Sequence, residues 1–81
     1  MIDFEIGMLA KSKAGHDKGK IYIIVKTDDG YVYLTDGAIK KKESPKKKKK
    51  KHVQLMDRTY DITDRDDVAI KRILKEYKEK Q

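Results

Sequence analysis

Cysteine is absent from the 81 residues, so neither disulfides nor thiolate metal sites can reinforce the fold. No stretch approaches the roughly 20 apolar residues of a membrane span. The opening "MIDFEIGML" carries acids where a secretory signal would carry Lys or Arg. These lacks lead to the expectation of a soluble, cytoplasmic protein without a membrane partner. Length excludes more. A domain this small removes only about 60% of its unfolded surface from water, which argues against a large buried cofactor or a deep catalytic cleft. Paired-histidine spacing, a phosphate-binding glycine loop leading into a helix, and a Ser-His-acid arrangement are all missing. Asp64, Asp66 and Asp67 cluster where a helical pattern begins, and acids favour that end of a helix without any metal. A calcium loop would need a later glycine and glutamate. The expectation is a non-enzyme with no cofactor and no metal site.

What is abundant is lysine. Net charge is +7, from 21 Lys and Arg against 14 Asp and Glu. Residues 40–51 hold nine lysines and one acid, Glu43, giving +8; the other 69 residues hold 12 bases and 13 acids, giving −1. The whole surplus therefore lies in one segment, and a polyanionic partner is the natural reading of such an asymmetry. The run contains no arginine. Arginine would be expected where bases are read by bidentate bonds, whereas lysines are point charges that suit phosphates.

Short β-like runs fill the first 60 residues. "KIYIIVKT" and "YVYLTDG" are rich in β-branched and aromatic residues, and "DDG" at 28–30 is a turn between them. "EIGMLAKSKA" supplies an earlier strand and "AGHDKGK" a turn. "AIKK" and "KHVQLM" flank the lysine run, with Ile39, Val53 and Leu55 expected in the core. Between them the run reads as a long hairpin that leaves the barrel, with a mobile tip near Pro45, which cannot donate a ladder bond. A run of like charges is ordinarily a solvated segment, but strand residues bracket this one on both sides. Ile70, Ile73, Leu74 and Tyr77 then follow helical spacing, predicting an amphipathic helix over 64–79, capped by Thr63 or Asp64. Four or five short strands in so few residues predict a small curled β-barrel at 1–60, with the helix packed on it.

Residues 7–25, "GMLAKSKAGHDKGKIYIIV", resemble the KOW motif, a strand, glycine-containing loop and strand found in ribosomal proteins and transcription elongation factors. Gly7 opens it, Gly19 is the key loop glycine, and "IYIIV" is the second strand. The whole chain is similar to small KOW-domain RNA-binding proteins, and through them to KOW-class large-subunit ribosomal proteins of archaea and eukaryotes. The resemblance implies a mainly β, SH3-like barrel, a ribosomal or ribosome-associated place in the cytoplasm, and a free chain that is monomeric. It implies ribosomal RNA of the large subunit as partner, with ribosomal proteins nearby.

The expected RNA contacts fall in two places. One is the loop, with Lys11, Lys13, Gly15, His16, Lys18, Gly19 and Lys20, where the glycines permit positive φ or close approach to a phosphate. The other is the run, with Lys40, Lys41, Lys42, Lys46, Lys47, Lys48, Lys49, Lys50 and Lys51. Each lysine near a phosphate displaces condensed counterions and gives salt-sensitive affinity with little sequence choice. Specificity would then come from RNA shape. Tyr31 and Tyr33 share a strand face and are read first as packing, with base stacking as the functional alternative. A second reading is a protein-interaction module of the transcription or translation machinery, in which Ile70, Ile73 and Tyr77 serve a partner.

Overall fold

A computed structural model describes residues 3–80. Its strands are β1 (Met8–Ser12), β2 (Ile21–Thr27), β3 (Tyr31–Thr35), β4 (Lys46–Lys49) and β5 (Val53–Thr59). A 3-10 turn, Lys50–His52, joins β4 to β5, and the helix α1 covers Asp67–Glu79. All strand pairs are antiparallel, in the order β4-β3-β2-β1-β5. The last strand thus lies beside the first, which is the connectivity of the expected small SH3-like barrel.

Alternation along the strands makes two apolar faces. Met8, Ala10, Tyr22, Ile24, Val32, Leu34 and Val53 form the inner core. Leu9, Ile21 and Ile23 point outward and are covered by Ile62 and by Ile70 and Leu74 of α1. Burying two such aliphatic side chains contributes about 3–6 kcal/mol in gross transfer terms, so α1 is held by its stripe. Register shifts between Met8 and Ala10, and between Ile24 and Lys26, are bulges of the kind that curl a sheet.

Three expectations are corrected. The lysine run is not a projecting hairpin. Lys40–Lys42 belong to a loop, Lys46–Lys49 are strand β4 at the sheet edge, and Lys50–His52 form the 3-10 turn. β4 pairs with β3 through Tyr31–Lys49, Val32–Lys48, Tyr33–Lys47 and Leu34–Lys46, and the 3-10 turn carries the chain to the opposite edge. The two arms of the supposed hairpin therefore never meet.

Ile39 is not core; it is 75% exposed. The Asp36 carboxylate accepts from the backbone N–H groups of Ala38 and Lys40, closing a loop that turns Ile39 outward. Val53 is buried and Leu55 packs on the inner core, as expected.

The helix begins three residues later than its pattern suggests. Asp64 has φ +60°, a left-handed conformation that cannot belong to an α-helix. Asp66 is the cap, its Oδ1 accepting from the Ala69 N–H at 2.9 Å. The 36–42 loop is clamped to this helix start. The Lys42 N–H donates to Asp67 Oδ1 at 2.8 Å, and a Cβ on Gly37 would lie 2.2 Å from the Asp67 carbonyl oxygen. Gly37 is required there by both its φ of +73° and this close approach.

Candidate nucleic-acid interface

The loop after β1 is built by glycine and by one acid. Gly15 and Gly19 both have positive φ, 85° and 89°. The Gly19 N–H donates to the Ser12 carbonyl and the Lys20 N–H to the Asp17 carbonyl. Asp17 then reaches under the loop to the barrel mouth. It accepts from Ser12 Oγ at 2.9 Å and from the Tyr22 hydroxyl at 3.1 Å. Lys48 Nζ lies 2.9 Å from its Oδ1 and Lys46 Nζ 2.9 Å from its Oδ2.

The period of two explains why these two lysines are taken. Lys46 and Lys48 pair with Leu34 and Val32, which face the inner core. Their stems run along that apolar face and their ammonium groups emerge at the mouth, where Asp17 meets them. Burial alone would push the Asp17 carboxyl upward, but hydrogen bonds from Lys46, Lys48, Ser12 and Tyr22 hold it well below the usual carboxylate range. Burial, and then the neighbouring Asp17 carboxylate, push the Tyr22 hydroxyl well above its ordinary value. At this mouth one carboxylate offsets part of the charge of two lysines and ties them to the loop.

Other contacts bring the two basic segments together. Lys48 Nζ donates to the Ala14 carbonyl at 2.8 Å, and the Lys13 N–H donates to the His52 carbonyl at 2.8 Å. The loop therefore abuts both β4 and the 3-10 turn. Around this junction Lys11, Lys13, Gly15, His16, Lys18, Gly19 and Lys51 are exposed. Lys50 is half-buried, with its ammonium 5.5 Å from the centre of the Phe4 ring.

The remaining expected contacts lie elsewhere or are engaged. Lys20 forms an ion pair with Asp36 at 3.3 Å. Lys42 Nζ donates to the Arg65 carbonyl, away from the loop. The Lys40 carbonyl accepts from Thr35 Oγ1, and Lys41 is exposed in the same loop. On the outward face of β4, Lys47 and Lys49 lie opposite Tyr33 and Tyr31.

Among the described residues no cluster of His, Asp and Glu could hold a metal ion, and no helix is long and apolar enough to cross a membrane. Compared with models of known protein families and with curated proteins, the chain matches none. The likeness to KOW motifs accordingly rests on Gly7, the glycine-lysine loop and the strand that follows it.

Asp17 escaped the sequence reading. Its signal was present, as the single acid between Lys11 and Lys20. Lys26 was also missed, because its place beside Tyr33 depends on the bulge at Ile24.

Proposed function

We propose that the protein binds structured RNA through phosphate contacts, with ribosomal RNA of the large subunit as its target and the cytoplasmic ribosome as its place of action. The observation that carries this reading is the junction of the two basic segments. Lys13, Lys18 and Lys51 stand exposed around one end of the barrel, where a folded RNA offers converging phosphates. Lysines whose charge is not neutralised inside the protein are the ones that can release counterions from RNA. The KOW-like loop supports the same partner. With Ile70 buried, and Ile73 and Tyr77 partly buried against the same cluster, the helix stripe offers less to a protein partner than a free one would.

Replacing Lys13, Lys18 and Lys51 together by glutamine tests the reading, since none of the three forms an ion pair among the described residues. Affinity for a structured RNA should fall, and the slope of log K against log salt should flatten by roughly 2–3. An unchanged slope overturns the proposal. In a sucrose gradient of native extract, the protein should travel with the large ribosomal subunit and survive moderate salt. Recovery only at the top of the gradient overturns the ribosomal assignment.

A further inference from the structure

We infer that the outer face of β3 is a separate contact for single-stranded nucleic acid, with Tyr31 and Tyr33 each stacking one base. This rests on the RNA-binding reading above and adds a substrate class to it. The helix covers the outer face only around Leu9, Ile21 and Ile23, and neither tyrosine belongs to either core cluster. Both tyrosines are half-buried, and among the described residues their rings are flanked by side chains of lysine and aspartate.

Cations flank the rings on both sides. Lys26 on β2 and Lys47 on β4 lie opposite Tyr33, in one row across three strands, and Lys49 lies opposite Tyr31. The Lys47 ammonium is 4.3 Å from the centre of the Tyr31 ring and that of Lys26 is 5.1 Å from the Tyr33 ring. The Tyr33 hydroxyl donates to Asp28 Oδ2 at 3.0 Å, fixing the direction of that ring. Exposed cation–π contacts are weak. A base can displace the ammonium from a ring, and the freed lysine then lies beside the phosphate that came with it.

Spacing selects the form of the strand. Residues two apart on one strand are separated by about 6.6 Å, whereas bases in a duplex follow one another at about 3.4 Å along each strand. Consecutive bases of a duplex cannot match both rings. An extended strand with its bases unstacked can, and the lysines on the two neighbouring strands suit a backbone passing across β3.

The test compares an end-labelled oligouridine with a short RNA duplex, titrated against the full chain and two variants. Y31L/Y33L should lose about 30-fold or more in single-strand affinity, the equivalent of two stacked bases, with duplex affinity unchanged. Y31F, which keeps the ring and leaves the Tyr33–Asp28 bond in place, should bind the single strand as the wild type does. Because the chain has no tryptophan, its tyrosine emission can be followed directly, and the oligouridine should quench it. That readout needs no variant. Equal single-strand binding by Y31L/Y33L, or no quenching at saturation, overturns the inference while duplex binding leaves the RNA reading standing. A polyglutamate that binds the wild type as tightly as the oligouridine, and loses as much affinity in Y31L/Y33L, would make this a face for acidic proteins and also overturns it. Wild type that binds neither RNA fails the RNA reading itself.

Discussion

At Asp17, one carboxylate receives two ammonium groups and two hydroxyls, and its side chain is only 9% exposed. Removing its charge would leave Lys48, whose side chain is 10% exposed, without a counter-ion at the barrel mouth. Asp17→Asn should therefore cost about 3 kcal/mol, the scale for breaking a buried pair from one side. In a domain of this size that lowers Tm by roughly 12–24 °C, read by thermal unfolding at neutral pH. The pH dependence has a definite sign. The folded-state pKa is depressed, so the contribution is complete above the unfolded value of about 3.9 and drains away as pH falls below it. The gap in Tm between wild type and Asp17→Asn should narrow from pH 5 towards pH 2, measured by the same melts. A gap that stays constant would mean that Asp17 acts through packing and not through charge.

At the scale of elements, strands with a hydrophobic signal were legible and the one made of lysine was not. β2 and β3 alternate or run apolar, and DDG marks their turn; the spacing of Ile70, Ile73, Leu74 and Tyr77 marks α1. β4 is four lysines, and a uniform run has no period for a reader to find. Its strand character comes from outside, from the ladder offered by β3 and from the charge of Asp17. The helix start was misplaced because three acids in four positions each resemble a cap, and only the backbone at Asp64 decides between them. For the candidate site, both basic segments were legible, but not which lysines Asp17 takes. That division is testable as a contrast. Lys46→Gln with Lys48→Gln should destabilise the fold by about 2–4 kcal/mol by leaving Asp17 buried and unpaired. Lys47→Gln with Lys49→Gln should change stability by less than about 0.5 kcal/mol, as exposed substitutions do, yet weaken RNA binding. Chemical unfolding and salt-dependent binding of both doubles check the two halves, and equal destabilisation would show that the alternation of β4 has no energetic meaning.

Over the whole molecule, the +8 of residues 40–51 is only partly answered from within. Asp17 offsets part of the charge of Lys46 and Lys48, while Lys13, Lys18 and Lys51 remain around the same end of the barrel. Some of this charge has a simpler use. β4 is an edge strand, and lysines on an edge discourage pairing with another chain. That use accounts for the lysines of the strand but not for Lys13, Lys18 and Lys51, which lie off it, so edge protection leaves the wider basic surface unexplained. Crowded like charges also strain the fold in the absence of an anion. Raising salt shortens the Debye length from about 20 Å to about 4 Å between roughly 20 mM and 500 mM. Repulsion among the exposed lysines is screened by this, whereas the enclosed Asp17 pairs are screened much less. Tm should therefore rise by a few degrees over that range, and the rise should shrink in the Lys13, Lys18 and Lys51 triple glutamine variant. A short RNA should produce a similar rise at far lower concentration, because a ligand that binds only the folded state stabilises it by mass action. If Tm falls with salt instead, attraction outweighs repulsion across the surface, and the lysines at this end are not poised for a polyanion.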